Sequence, residues 1–333
     1  MLKRRGLVLI SIILILFSAC SDEETPTIPL PTPTTSTWGT PTPDIGNQSV
    51  IENVYAPILY FDAKEKDYIT SVDRFIYTGV KLQGRVKSNK YVTILNNVNV
   101  DDLAKYNTPR MTFENNEVEL MIQSDSKVSN FDDAVYTRKT DDGSFIYLQY
   151  WFFYSYNDIS GVGGNSLIHK CGNHQGDWEH ISLKLDKNKL SKASNDKDYL
   201  NAIYEMYFSQ HNKGQNDNRK FKKPNDPEVS FENTHIKVYP ARGTHASYYQ
   251  PHKGDGYQLT SILFYKLFDK ADGKGDIFKT QGKTQDLMSK PWVRFGGKWG
   301  EISDDICNIA EWFSDASNDG PIGPTFQNTG IDW

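Results

Sequence analysis

Residues 145–154 read Phe-Ile-Tyr-Leu-Gln-Tyr-Trp-Phe-Phe-Tyr, an aromatic run interrupted only by Gln149. Side chains of this kind favour a pleated, buried surface, and the run is long enough for a central strand. Further strand signals flank it. From Trp178 to Leu185 apolar and polar residues alternate, and residues 199–209 and 235–239 are again β-prone. Two polar stretches, residues 186–198 and 211–230, are rich in Lys, Asn and Asp and read as solvated loops. One helix is predicted over residues 258–269, where Leu259, Ile262, Leu263, Tyr265 and Leu267 are apolar and Gly273 provides a stop. Spaced strands, long loops and a few short helices predict a mainly β fold, a β-sandwich.

The two ends of the chain have different tasks. Lys3, Arg4 and Arg5 precede an apolar stretch from Leu7 to Phe17, and small residues Ser18 and Ala19 precede Cys20. Residues 1–19 read as a secretory signal, and the placement of Cys20 resembles a bacterial lipobox. A lipid on Cys20 would tether the mature protein to a membrane. Ser21, Asp22, Glu23 and Glu24 resemble an acidic export tag, which predicts a bacterial outer-membrane lipoprotein exposed at the cell surface. Residues 20–48 are rich in Thr and Pro and read as an extended spacer, leaving residues 49–333 as one β-sandwich domain. Removing the signal takes away three cations and moves the formal net charge from -5 to -8. Bulk electrostatics therefore argue against nucleic acid as a partner. Cys171 and Cys307 remain, and an even pair in an oxidising compartment is expected either as a disulfide or as two separate buried thiols.

The chemistry gathers at His174-Gln175-Gly176-Asp177-Trp178-Glu179, read as a turn that leads into a strand. Residues two apart share a face of a strand, so Asp177 and Glu179 point the same way, in line with Ile181, Leu183 and Leu185. Carboxylates on a core-facing row need a compensating cation. A metal ion is one solution, with His174, Asp177, Glu179 and His245 as ligands. Mixed nitrogen and oxygen donors suit zinc, while an oxygen-dominated set suits calcium or magnesium. Arg242 and contacts to loop amides are the other solution. His245 and His211 both follow strand ends, and with Trp178 they complete the candidate surroundings of the site. No phosphate loop, nucleophile elbow or dinucleotide-binding turn is present, which removes support for nucleotide hydrolysis and serine-hydrolase chemistry.

Residues 174–180 (HQGDWEH), 207–211 (YFSQH) and 243–248 (GTHASY), with Tyr55-Ala56-Pro57, Tyr60-Phe61-Asp62 and Trp299-Gly300, resemble the vacuolar-protein-sorting-62-related family over roughly residues 51–333. More distantly, residues 174–179 are similar to the Gly-His-Arg-His-Asp-Trp-Glu heptapeptide of necrosis-inducing cytolysins. That resemblance implies a β-sandwich with a divalent cation at the end that meets sphingolipid headgroups. Asp177 and Glu179 match its acidic pair and Trp178 its tryptophan; Gly176 replaces the residue before the first acid. The resulting expectation is a tethered protein whose divalent cation binds a glycan or lipid headgroup. The alternative is a metal-dependent hydrolase of phosphate or glycosidic bonds, with His174, His211 or His245 as acid or base.

Overall fold

The computed structural model describes residues 48–76, 79–86, 90–124, 132, 134–158, 173–210, 220–254, 256–262, 265–300 and 320–327. These lie within a compact unit spanning Ile45–Trp333. The aromatic run forms a single strand, Phe145–Asn157, paired antiparallel with Val135–Asp141 on one side and His174–Asp186 on the other. Ile203–Phe208, Phe221–Lys222 and Thr284–Asp286 complete a six-stranded sheet.

Both faces of that sheet are covered, which is why the aromatic strand shows so little alternation. On one face Leu148, Tyr150, Phe152 and Tyr154 join Ile181, Leu183 and Leu185 against Leu59, Ile236, Val238 and Phe278. The latter belong to a five-stranded sheet that includes Ile58–Tyr60, His235–Pro240 and Ile277–Lys279. On the other face Trp151, Phe153 and Trp178 pack with Trp292, Phe295 and Trp299, and with Leu82 and Ile122 of a four-stranded sheet. The architecture is thus a mainly β sandwich, with short helices such as Val72–Ile76 and Val100–Leu103 at its margins.

Three local expectations change. The described residues of the predicted helix, 258–262 and 265–269, are not helical; Tyr257–Ile262 and Tyr265–Asp269 are strands paired antiparallel. The same apolar residues serve either period, and cross-strand pairing settles the outcome here. Residues 199–202 are helical, within Asp196–Ala202, and the strand begins only at Ile203. The cause is an N-cap: the Asn195 side chain accepts the Asp198 backbone N–H, satisfying a donor the first turn would otherwise leave open. The preceding polar stretch likewise holds a helical turn, Lys187–Leu190, capped by Asp186.

Candidate functional site

The motif read as a turn before a strand lies inside the strand, which starts at His174. Register with the aromatic strand is kept throughout, Asn157 opposite His174 and Tyr154 opposite Asp177. Gly176 makes this possible. Its φ is +60°, and a Cβ there would run into the Trp299 carbonyl. Gly300 gives the reciprocal clearance, because its Cβ would meet the Gln175 carbonyl. Trp299-Gly300 is therefore a backbone lock on the motif strand. Trp178 faces away from the acids, where its ring lies 5.5 Å from both Trp292 and Trp299.

Asp177 and Glu179 do share a face, and Asp177 is buried while Glu179 is half-buried. His245 reaches Asp177 from a tight loop between His235–Pro240 and Ser247–Tyr248. Its own φ is 55°, held by a 2.8 Å bond from its N–H to the Ala241 carbonyl. Left-handed backbone at a non-glycine residue costs of order 1–3 kcal/mol and persists only where the surroundings enforce it. Here they do. The imidazole is fully buried and stacks on Tyr154 at 3.8 Å and 4°.

Both ring nitrogens of His245 face acceptors: Nδ1 lies 3.0 Å from Asp177 Oδ2, and Nε2 lies 3.1 Å from the Asp67 carbonyl. Only the imidazolium can donate to both. Burial alone would favour the neutral ring, but the Asp177 hydrogen bond and the charges of Glu65, Asp177 and Asp67 outweigh it and raise its pKa. Glu65 holds the acceptor in place. Its carboxylate takes the N–H groups of Lys66, Asp67 and Gly243, tying the 65–67 turn to the loop that carries His245.

His174 is the opposite case. Burial, aided by the neighbouring His245 charge, lowers its pKa against the pull of Asp177. Its Nδ1 sits 3.0 Å from the Gly176 carbonyl, so Nδ1 carries the proton and Nε2 keeps its lone pair. Glu179 is held well above the usual carboxylate range, first by burial and then by the Asp177 charge, with Asp269 adding to both. The Ser209 hydrogen bond and the Lys220 charge oppose this. Ser209 donates its hydroxyl to Glu179 Oε2 and accepts the His180 N–H at 2.9 Å. Asp269 is fully buried and accepts from Thr244 Oγ1 at 2.8 Å and Tyr248 OH at 2.7 Å.

Asp177, Glu179, His174 and His245 are thus brought to one strand end. Arg242 lies elsewhere in the same loop, with Nη1 3.9 Å from Asp62 Oδ1. Among the described residues no group of three or more His, Cys, Asp or Glu side chains is placed to hold a metal ion. Cys20, Cys171, His211 and Cys307 lie outside the described residues. Sequence reasoning missed Glu65, Asp67, Lys220 and Asp269 as members of the cluster. Glu65 follows the Tyr60-Phe61-Asp62 motif closely, which was the one signal available for it.

Comparison with known proteins agrees with the motifs. The family described as vacuolar protein sorting-associated protein 62 matches residues 21–301. No curated protein matches. Among solved structures, one described as a toxin fold as basis for microbial attack and plant defense shares 13% identity, covering 88% of this chain and 92% of its own, at a TM-score of 0.36. Necrosis and ethylene inducing protein 2 from the causal agent of cocoa's witches' broom disease shares 14% identity, with 80% and 91% covered and a TM-score of 0.34. A structure described as NLPPya in complex with mannosamine shares 11% identity, with 78% and 81% covered and a TM-score of 0.34. The chain belongs to the vacuolar protein sorting-associated protein 62 family, whose match runs through the strand, the serine turn and the histidine loop that build this cluster.

Proposed function

We propose that the protein is an exported lipoprotein, held at the bacterial outer membrane through Cys20, whose acid cluster binds a glycan or lipid headgroup by way of a divalent cation. One observation carries the reading: Glu179, half-buried, shares a strand face with Asp177, and its Oε1 has no partner among the described residues. A carboxyl in that setting gains from a positive charge, and a cation would displace the proton that burial otherwise retains.

His245 does not suit a ligand role, because both its nitrogens are committed to protein acceptors. Glu179 Oε1, Asp177 Oδ1 and His174 Nε2 are the atoms left to meet an ion. An ion there would supply charge and recruit hydroxyl or phosphate oxygens, for which calcium, magnesium or zinc would each serve. No three of these side chains are placed about one ion among the described residues, so an ion here would take at most two of them and draw the rest of its shell from oxygens of the ligand. The same commitment of His245 leaves no lone pair on that ring to accept a proton, so a hydrolase would have to draw its base from elsewhere, His174 Nε2 being the one in this cluster.

Metal analysis of purified residues 21–333 tests this, with Asp177→Ala and Glu179→Ala alongside. Metal in the wild type and its loss in both variants is expected. Equal and negligible metal in all three, with melting unaffected by added cations, would sink the cation reading. Turnover of phosphodiester or glycoside substrates would replace the binder by an enzyme. Cys20→Ala is expected to move the protein out of the membrane fraction, and an unchanged distribution would refute the lipid tether.

A further inference from the structure

We infer that Ser209 is a positioning residue that makes Glu179 a one-oxygen contact, leaving Oε1 as the atom that meets the bound group. The inference rests on the binding reading above. Ser209 is bonded through its N–H, its carbonyl and its hydroxyl. Its N–H donates to the His180 carbonyl at 3.0 Å, and its own carbonyl accepts the Ser247 N–H at 2.8 Å. The hydroxyl oxygen accepts the His180 N–H at 2.9 Å, so the hydroxyl proton is directed to Glu179 Oε2.

Ser209 therefore pins the end of Ile203–Phe208 to the motif strand and to Ser247–Tyr248 with its backbone, and aims a carboxyl with its side chain. The backbone bonds do not use the side chain and survive replacement by Ala; the aim does not. The hydroxyl takes one lone pair of Oε2 and fixes the turn of the carboxyl, so Oε1 is the oxygen with both lone pairs open. Oε1 alone projects toward whatever binds, as an anionic acceptor when ionised or an O–H donor when protonated. This separates the serine's functional role from its structural one, because only the hydroxyl touches the acid.

Calorimetric titration of purified residues 21–333 with calcium and with manganese alone reads the effect. Ser209→Ala is expected to weaken binding about tenfold, the loss of one charge-assisted hydrogen bond. Ser209→Thr, which keeps the hydroxyl, should recover most of it. In a Glu179→Gln background Ser209→Ala should have no further effect, whereas a general packing role would persist there. Wild-type affinity in Ser209→Ala, or an undiminished effect in the Glu179→Gln background, overturns the assignment and leaves the binding reading standing. Failure of the wild type to bind either ion, or full binding by Glu179→Gln, removes the binding reading itself and this assignment with it. Should Ser209→Ala fail to fold, Ser209→Cys keeps the volume with a weak donor and carries the same comparison, a several-fold loss supporting and no loss overturning.

Discussion

Asp177→Asn tests whether the buried pair with His245 is ionic. The substitution keeps an oxygen opposite Nδ1 and removes only the charge. In the wild type two donors of one imidazolium meet two acceptors, at 3.0 Å and 3.1 Å, with the ring fully buried. Without the carboxylate the ring sheds its proton, and one nitrogen then turns a lone pair toward an acceptor. Breaking a buried ion pair costs about 3–5 kcal/mol when the remaining charge is stranded. His245 can neutralise and Asn still accepts, so about 2–3 kcal/mol is expected, some of it offset by relief of Glu179. For a unit of this size that is a fall of about 4–10 °C in Tm. The sign with pH follows from the raised pKa of His245, whose ordinary value is 6.5. A group whose pKa rises on folding stabilises fully below its unfolded value and loses that contribution as pH passes through the folded one. The gap between wild type and variant should thus be widest below about pH 6.5 and close above the folded pKa. Thermal melts of both proteins between pH 5 and 9 measure it. A gap under about 1 °C at pH 6, or one that does not change with pH, would refute the imidazolium.

Glu179→Gln should raise Tm at neutral pH, by about 1–3 kcal/mol of relieved burial, with the gain shrinking as pH falls into the usual carboxylate range; a lower Tm at pH 7 would show that the acid is compensated. Gly176→Ala should cost more than about 3 kcal/mol, since left-handed backbone and the Trp299 carbonyl both oppose a Cβ, and a soluble variant melting like wild type would disprove the backbone lock. Trp178→Ala should cost about 3–5 kcal/mol in chemical denaturation, with a loss below about 1 kcal/mol counting against the tryptophan cluster as the support of the motif strand.

The sandwich was legible because its central strand is written in side chains that cannot be left in water. Phe145–Asn157 sends Tyr150, Phe152 and Tyr154 to one core and Trp151 and Phe153 to the other, so burial on both faces is already implied by the run. The shared face of Asp177 and Glu179 was equally accessible, because it depends only on the pleat. Elements decided by a partner were not. The strand pair Tyr257–Ile262 and Tyr265–Asp269 has apolar spacing that also fits a helix, and only cross-strand pairing separates the two. The helix Asp196–Ala202 did carry a local mark, Asn195 three residues before Asp198, but the β-prone composition that follows obscured it.

The cluster shows the same division between local pattern and distant contact. His245 looked like a ligand because an imidazole beside carboxylates often is one. What takes it out of the ligand set is the Asp67 carbonyl on its second nitrogen, placed by Glu65 through a bond to Gly243 across 178 residues of chain. No spacing rule reaches that far. Once both nitrogens are committed, the charge balance at the strand end follows. Asp177 is answered by His245 through Oδ2, Asp269 is bonded by two hydroxyls, and Glu179 meets only the Ser209 hydroxyl among the described residues. The excess carboxyl is therefore the part of this fold that stability does not explain, since a glutamine at 179 could still accept the Ser209 hydroxyl at no cost in buried charge.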